Sequence, residues 1–370
     1  MINIKHNYFY RAYMNNIEFN TVFLHMLTSY SEHMNIDFCK KHIVKPLYID
    51  QSHNPNHISI RCPEDISDLI KLSESIQYNE EVEYPIDIKL LHKITPSLKK
   101  LDAMIGIEKV KKHIVQQIIY YLQKLDNNND YLHTVIYGPP GTGKTELAKY
   151  IGQLFKELDV LQKGSFKKVT RADLIAGYIG QTAIKTKKVI EDSLGGVLFI
   201  DEVYALGQND KVESFSKECV DTLCEMLSDH KNNLMVIIAG YEEEIQNCFF
   251  KLNQGLKSRF QWNYTLDKYN AKELFHIFEH KIFQNGWKIS DDDYLKIQSL
   301  FQNEHDCFEF QGRDMENLFS KIKIQHSGRI FGSNLGKKEL TYEDATKGIN
   351  MFKSQQTKKE TFNYAFNMYT

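Results

Sequence analysis

The spacing of hydrophobic residues divides the chain into two regions that meet near residue 92. In the first region, one face of a helix is predicted by apolar residues at Phe19, Val22, Phe23, Met26, Leu27 and Tyr30. Residues 57–62 alternate as a strand does, and a helix-start signal follows at residues 63–65. We therefore predict a small mixed α/β module over residues 1–92.

In the second region, apolar strands, loops and amphipathic helices alternate from Ile105 onward. An amphipathic helix is predicted over residues 110–125. Short apolar runs predict strands at residues 133–137, 166–170, 195–200 and 234–239. Because such uninterrupted runs are typical of a parallel sheet buried on both faces, the fold class is predicted as α/β.

The strand pattern fades after Phe260, and helices are predicted over residues 267–283 and 313–324. Asn270 and Glu273 form a plausible capping pair for the first of these helices. Residues 352–370 are polar with late aromatics, and we predict a flexible tail there.

Composition excludes some classes of protein but does not indicate which reaction the chain catalyses. The 370 residues carry a net charge of -2 and no long basic block, which argues against a non-specific nucleic-acid binder. The six cysteines include no Cys-x-x-Cys pair, no signal peptide is evident, and no apolar run is long enough to span a bilayer. A cytoplasmic protein without a membrane partner is therefore expected.

A zinc site could be drawn through Cys39, His42, His57 and Cys62 in the first region. Their spacing fits no standard zinc finger, and such fingers more often begin with paired cysteines. Surface histidines and isolated thiols are the favoured interpretation.

A glycine-rich loop with the sequence GPPGTGKT follows the first apolar strand and precedes a helix. Its glycines let backbone N–H groups surround phosphates, and the helix N-terminus adds a positive dipole end. Lys144 can hold the β- and γ-phosphates of ATP, and the Thr145 hydroxyl can bind Mg²⁺. The predicted phosphate-binding residues are Gly138, Pro139, Pro140, Gly141, Thr142, Gly143, Lys144 and Thr145. An incidental glycine turn is the alternative.

Two adjacent acids, Asp201 and Glu202, end the apolar strand that contains residues 197–200. Ligands of parallel sheets bind at the carboxyl ends of the strands. Asp201 can hold a magnesium ion, and Glu202 can polarise a water for in-line attack. The pair is a weak signal alone and a strong one downstream of a phosphate-binding loop.

The ordered motifs together resemble the AAA+ ATPases, and more closely the CbxX/CfxQ family, which includes the red-type Rubisco activase. The resemblance covers about residues 98–330 and rests on LDAMIGIEKVKKHI, GPPGTGKT, RADLIAGYIGQTAIKT, GGVLFIDEVYAL, VIIAGYEEEI, GLKSRF and GRDMENLF. It implies a P-loop α/β subdomain over residues 93–266 and a helical lid over 267–351. It also implies a homo-oligomeric ring, with six subunits expected.

The resemblance assigns further roles to single residues. It implies that Ile105 and Gly106 face the adenine and that Arg259 is an arginine finger acting on the neighbouring subunit's nucleotide. It implies that Arg313 touches the γ-phosphate from the lid. For each arginine taken alone, a surface ion pair is the plainer alternative. The catalytic residues implied are thus Glu202, Lys144, Arg259 and Arg313.

The chain departs from the general AAA+ pattern at two positions. Where many relatives have a polar sensor, usually Asn, this chain has Gly240 and Tyr241, so the sequence assigns no sensor residue. Gln254 stands where the family often has Pro, which loosens the loop before Arg259 but removes no functional group.

The segment Tyr178, Ile179 and Gly180 resembles the aromatic–hydrophobic–glycine loop that lines the central pore of AAA+ rings. A large, rigid ring can grip an extended peptide through contact area alone, and flanking glycines let the loop move. The alternative is a tyrosine packed against the domain core.

We therefore expect an ATPase that remodels or partly threads an unknown protein client. The alternative function is a loader-type machine acting on nucleic acid, for which Lys185, Lys187 and Lys188 could provide a basic surface. A nucleotide-binding scaffold without activity is disfavoured because Glu202 is present.

Overall fold

The computed structural model describes residues 60–126, 130–178, 180–207, 213–333 and 337–367. The predicted helix near residue 19 lies outside these residues, as does most of the predicted strand at residues 57–62. The last three residues of that stretch, 60–62, are not in a strand.

Five parallel strands form the central sheet in the order β2-β3-β4-β1-β5. They are β1 (Thr134–Tyr137), β2 (Phe166–Val169), β3 (Val197–Ile200), β4 (Met235–Gly240) and β5 (Trp262–Thr265). The strand β1 lies between β4 and β5, with Tyr137 opposite Gly240 and Thr265. The first four strands confirm the runs predicted from the sequence.

The helices before and around the sheet are α1 (Ile66–Ser75), α2 (Ile88–Asp102), α3 (Glu108–Leu122), α4 (Lys144–Glu157), α5 (Arg171–Leu174), α6 (Thr182–Glu191), α7 (Glu213–Asp229), α8 (Glu242–Glu244), α9 (Phe250–Leu252) and α10 (Gln254–Lys257). A 3-10 turn, Val203–Leu206, follows β3, and a π-helical segment, Ile245–Phe249, joins α8 to α9.

The chain ends in a helical part formed by α11 (Ala271–Gln284), α12 (Tyr294–Asn303), α13 (Gly312–Arg329) and α14 (Tyr342–Asn367), with a two-stranded sheet of β6 (Lys288–Ile289) and β7 (Glu339–Leu340). The predicted capping box at the start of α11 is confirmed, since Asn270 and Glu273 each accept an N–H from the other's backbone. Two further 3-10 turns lie at Asp291–Asp293 and His305–Cys307.

Strand residues alternate between two buried faces of the sheet, as the apolar runs predicted. Leu198 and Ile200 of β3 pack in one core with Val220 and Leu223 of α7. On the opposite face, α4 approaches so closely that a Cβ on Gly152 would lie 2.6 Å from Val197 Cγ2. A glycine is therefore required where this helix crosses β3.

The strand β5 contradicts the expectation that strands fade after Phe260. Its sequence, WNYT, buries only Tyr264 fully, because β5 is an edge strand that pairs with β1 alone. An edge strand with polar residues on one face carries little hydrophobic signal, and its pairing with β1 depends on distant residues.

The helices α1 and α2 pack together through buried leucines and isoleucines, among them Leu69 and Ile94. His92 Nε2 lies 2.9 Å from the carbonyl oxygens of both Ser73 and Ile76, so it joins the two helices. The predicted limit between residues 92 and 93 falls inside the single helix α2. The division of the chain into domains stays a prediction.

The backbone of α14 is helical to Asn367, so it covers most of residues 352–370, for which the flexible tail stays a prediction. Ala345, Ile349 and Phe352 of α14 are buried at helical spacing. The polar sequence that follows hides the helix from a periodicity argument, although the backbone continues the same hydrogen-bonded turn.

A buried ionic cluster joins α13 to α14. The Asp344 carboxylate accepts hydrogen bonds from Arg329 Nε at 2.9 Å and lies 3.0 Å from His326 Nδ1. Burial alone would raise the pKa of Asp344, but the hydrogen bonds from Arg329 and His326 outweigh it and lower the pKa below the ordinary 3.8. The carboxylate is therefore charged and holds the two helices together.

We predict that Asp344→Asn lowers the free energy of unfolding at pH 7 by about 3 kcal/mol, because it breaks a buried ion pair. A carboxylate with a lowered pKa stabilises above its unfolded-state pKa and loses that contribution as the pH falls through the folded-state value. The difference between variant and wild type should therefore shrink below about pH 4. Chemical denaturation at several pH values measures it. Glu343→Gln, which removes only an exposed pair with Lys347, is the control and should change stability by less than about 0.5 kcal/mol.

Candidate nucleotide-binding site

The predicted site residues meet at the carboxyl edge of the sheet. Gly138 follows β1, Asp201 follows β3, and Gly240 ends β4, and these three strands are neighbours. The Gly138 N–H donates to the Gly240 carbonyl at 3.1 Å, and the Asp201 N–H donates to Val169 at 3.1 Å. Parallel pairing therefore brings the phosphate loop and the acidic pair together.

The loop between β1 and α4 has the backbone that a phosphate cradle needs. Gly138, Gly141 and Gly143 all have positive φ, which opens the loop and turns N–H groups inward. Thr142 Oγ1 donates to the Pro139 carbonyl at 2.8 Å and closes the turn. Lys144 is the first residue of α4, directly at the helix N-terminus.

The Lys144 ammonium donates to the Gly138 and Pro139 carbonyls, each at 2.7 Å. Burial lowers the pKa of Lys144, and the nearby Arg313 charge lowers it further, whereas Asp201 and Glu202 raise it. Asp201, Glu202 and Arg313 are therefore close enough to Lys144 for their charges to act on it.

Asp201 is paired with a cation that the sequence did not single out. Lys168 Nζ, from the neighbouring strand β2, lies 2.6 Å from Asp201 Oδ2. The Asp201 carboxylate is thus half-buried and already paired with a positive charge. Both residues, together with Thr170, Arg171 and Glu202, line a cavity of about 590 Å³.

Glu202 has an uncommon backbone conformation for a non-glycine residue. Its φ is 51°, in the left-handed region, and the Ala205 N–H donates to its carbonyl at 2.9 Å. A left-handed residue costs about 1–3 kcal/mol and tends to occur where function requires it. The side chain is exposed at the carboxyl end of β3.

The helical part closes over the phosphate loop. The Gly312 N–H donates to the Gly141 carbonyl at 3.0 Å, and a Cβ on Gly141 would lie 2.0 Å from the Phe310 carbonyl oxygen. Arg313 is exposed at the start of α13, close enough for its charge to act on Lys144. The helix that carries Arg313 is thus held directly against the loop.

Tyr269 joins three parts of the site, although sequence reasoning did not select it. Its hydroxyl donates to the Thr142 carbonyl at 2.9 Å, and its N–H donates to Gln311 Oε1 at 2.8 Å. Its ring packs against Gly106, where a Cβ would lie 3.1 Å from Tyr269 Cε1. Gly106, and Ile105 beside it, are therefore connected to the phosphate loop through Tyr269, and their contact with adenine stays a prediction.

Arg259 lies at the opposite end of the sheet from its own phosphate loop. It precedes β5, whose first residue, Trp262, pairs with Thr134 at the start of β1, and its charge contributes to the lowered pKa of the buried His133. The four residues of β1 separate the two ends by roughly 10 Å. Arg259 Nε donates to Ser228 Oγ at 2.7 Å.

Tyr178 lies in the loop between α5 and α6 with 74% of its surface exposed, so it is not packed in the core. Gly177 and Gly180 on either side have open space around them, and Gly180 has a φ of 80°. Ile179 lies outside the described residues, as do Cys39, His42 and His57 of the zinc alternative. The fourth residue of that alternative, Cys62, is exposed.

The loop is connected to the acidic pair through Arg171, a second residue that sequence reasoning missed. Arg171 Nη1 donates to the Ala205 carbonyl at 2.7 Å. Arg171 begins α5, and Ala205 belongs to the 3-10 turn that follows Glu202. Arg171 is the first residue of the RADLIAGYIGQTAIKT motif, but the motif gave it no role, and Lys168 lies outside the quoted motifs; both act through partners distant in sequence.

The comparisons with known proteins agree with this geometry. Residues 134–267 match the family model described as "ATPase family associated with various cellular activities (AAA)". The fold and the site thus define an AAA-type P-loop ATPase, which binds nucleotide. No described helix is both long enough and apolar enough to cross a membrane.

Three relatives narrow the family. A cfxQ-like protein, R730, of Acanthamoeba polyphaga mimivirus is 36% identical over 329 residues, covering 88% of this chain and 79% of that protein. Stage V sporulation protein K of Bacillus subtilis (strain 168) is 35% identical, covering 65% and 78%. Protein CbbX of Cereibacter sphaeroides is 32% identical, covering 65% and 80%. The chain belongs to the CbxX/CfxQ family of AAA+ ATPases.

We predict that Gly141→Ala weakens nucleotide binding by at least tenfold. The added methyl group meets the Phe310 carbonyl, and residue 141 has a φ of 78° that alanine rarely adopts. Titration with a fluorescent ATP analogue measures the affinity. Gly328→Ala is the matched control, because no atom lies within 4 Å of its Cβ position and alanine favours the helix. Equal affinity in the two variants would contradict the role of this contact.

Proposed function

We propose that this chain hydrolyses ATP, with Mg²⁺, between two subunits of a homo-oligomeric ring, with six subunits expected, and uses the energy to remodel a protein client. The observation that carries the proposal is the separation of Arg259 from its own phosphate loop, at opposite ends of β1. An arginine in this position can act on the phosphates of a nucleotide only if that nucleotide is bound to another subunit.

Within one subunit, the phosphate loop would bind the ATP phosphates through backbone N–H groups and Lys144. To reach a phosphate, the Lys144 ammonium would exchange its bonds to the Gly138 and Pro139 carbonyls for phosphate oxygens. Glu202 would orient the attacking water and take its proton. The oxygen–phosphorus bond to ADP breaks as the new bond to water forms, and ADP and phosphate leave.

The residues present fit a magnesium ion. Asp201 and Thr145 offer the oxygen ligands that Mg²⁺ prefers, and the Asp201 carboxylate already pairs with the Lys168 ammonium. When bound, Mg²⁺ would neutralise charge on the β- and γ-phosphates. Asp201 would exchange the ammonium for the metal, and Thr145, the second residue of α4, would add its hydroxyl.

The exposed Tyr178 supports a protein client. An aromatic ring on a loop flanked by glycines can contact any extended polypeptide without reading its sequence. Arg171 ties the beginning of this loop to the turn after Glu202, so a change at the acidic pair can reach Tyr178 through rigid contacts. The relative at 30% identity that is named ribulose bisphosphate carboxylase/oxygenase activase, from Cyanidioschyzon merolae (strain NIES-3377 / 10D), is consistent with a protein client.

The nucleic-acid alternative gains no support from the lysines after the loop. Lys185 Nζ donates to the Ala172 and Ile175 carbonyls, at 2.6 and 2.9 Å, and so stabilises the loop itself. Lys187 and Lys188 are exposed. Two positive charges are few for a groove that binds the phosphate backbone of a nucleic acid.

Mixing two inactive variants tests catalysis between subunits. Glu202→Gln should bind ATP and fail to hydrolyse it, and Arg259→Ala should lose about 10³-fold in turnover. In a mixed ring, an Arg259→Ala subunit keeps Glu202 and receives Arg259 from its Glu202→Gln neighbour. We therefore expect mixing to restore a measurable fraction of the wild-type rate.

The double variant Glu202→Gln/Arg259→Ala is the control. Mixing it with either single variant never brings a Glu202 together with an Arg259 from a neighbouring subunit, so ATP hydrolysis should not be restored. Steady-state phosphate release at fixed total protein measures the recovery. No recovery from two variants that still co-assemble would rule out a shared site.

We predict that Tyr178→Ala lowers binding of an unfolded polypeptide at least tenfold and leaves basal ATP hydrolysis within about twofold, because one buried aromatic contact carries over 1 kcal/mol. Fluorescence anisotropy of labelled casein, with Glu202→Gln protein held in ATP, measures binding. Phe331→Ala, which removes another aromatic ring that is 92% exposed, is the control. Unchanged casein binding in Tyr178→Ala would remove this residue from the client surface.

A further inference from the structure

The end of β4 lacks a side chain because another residue fills its place. A Cβ on Gly240 would lie 2.8 Å from Tyr204 Cδ1 and 3.1 Å from Tyr204 Cε1. Real Cβ atoms do not approach other atoms so closely, so residue 240 can carry a side chain only if the Tyr204 ring moves. The ring of Tyr204 thus covers the edge of the sheet at this strand.

Tyr204 also lies close to the chemistry in the chain. It follows Glu202 by two residues in the turn Val203–Leu206, and Gly240, on which its ring rests, accepts a hydrogen bond from Gly138 of the phosphate loop. The ring is therefore fixed between the acidic pair on β3 and the phosphate loop after β1, the two parts that hydrolysis must bring together.

The Tyr204 hydroxyl makes no hydrogen bond to any residue of the described part of the chain, although the side chain is half-buried. Burial raises the pKa of Tyr204 to about 12, and the charges of Glu202, Glu244 and Asp201 contribute. The phenol thus keeps its proton at neutral pH and is a donor among carboxylates. Glu244 Oε2 is buried and has no hydrogen-bond partner among the described residues, and the charge of Glu244 acts on Tyr204, so a second acceptor exists in addition to Glu202.

We propose that Tyr204 is a positioning residue for ATP hydrolysis: when the exposed Glu202 side chain turns toward the nucleotide, the Tyr204 hydroxyl, which has no partner among the described residues, donates to the Glu202 carboxylate and fixes it toward the attacking water. This inference rests on the proposed function. Glu202 is exposed, so its side chain can adopt several rotamers. The ring of Tyr204 packs against Gly240 and is held there. A hydrogen bond from this ring would hold the carboxylate in one orientation before the reaction and so lower the entropic cost of reaching the transition state.

Tyr204→Phe tests the proposal, since it keeps the ring on Gly240 and removes only the hydroxyl. We expect kcat to fall about 10- to 100-fold, the range that one hydrogen bond to a charged group supplies. The KM for ATP and the melting temperature should stay as in wild type. A merely structural role would instead lower the melting temperature or raise KM.

The matched control is Tyr241→Phe, which removes the phenol of the neighbouring ring 6.2 Å away and should leave kcat within about twofold. A double-mutant cycle shows whether Tyr204 acts through Glu202, because Tyr204→Phe should then cost nothing further in the Glu202→Gln background. A kcat within twofold of wild type for Tyr204→Phe, or a full additional loss in that background, would overturn the proposal. An inactive wild type would instead refute the proposed ATPase reaction.

Discussion

The register of three parallel strands is the constraint on which the site depends. Because β1 lies beside β4 and β4 beside β3, their carboxyl ends form one edge, and the bond from the Gly138 N–H to the Gly240 carbonyl fixes the two central ends together. The phosphate loop and the acidic pair are more than 50 residues apart in sequence, and the sheet alone makes them neighbours. A slip of one residue in β3 would direct Asp201 to the other face of the sheet.

The same parallel arrangement that brings these residues together places Arg259 away from them. Residues that precede a strand, such as Arg259 before β5, lie at the amino end, away from every residue that follows a strand. A single subunit can therefore present Arg259 and a phosphate loop on different surfaces. In the proposed ring of identical subunits, each interface would join these two surfaces and so complete the site.

Local sequence predicted the parts of the molecule whose physics is local. The glycines of the phosphate loop, the apolar run of β3 and the Asn270–Glu273 capping box all depend on neighbours within a few residues. Contacts between distant segments were missed. The Lys168–Asp201 pair and the bond from Tyr269 to Thr142 join segments that no periodicity relates. The edge strand β5 was missed because it buries too little apolar surface to mark its sequence, and the end of α14 was missed because residues 353–361 include no apolar residue that could mark a helical period.

The glycine at position 240, where the sequence assigned no sensor residue, is explained by its packing in three dimensions. Gly240 removes a side chain at the end of β4, and Tyr204 fills that place from the neighbouring strand's turn. That turn also receives the hydrogen bond of Arg171, which begins the segment leading to Tyr178. The strained backbone of Glu202 is thus followed by a turn with two contacts. Its Tyr204 ring packs on Gly240, next to the phosphate loop, and its Ala205 carbonyl accepts a hydrogen bond from Arg171, on the side of Tyr178. The turn Val203–Leu206 therefore contacts both sides, so a change at Glu202 that moves this turn would act on the end of β4 and on the segment that begins at Arg171.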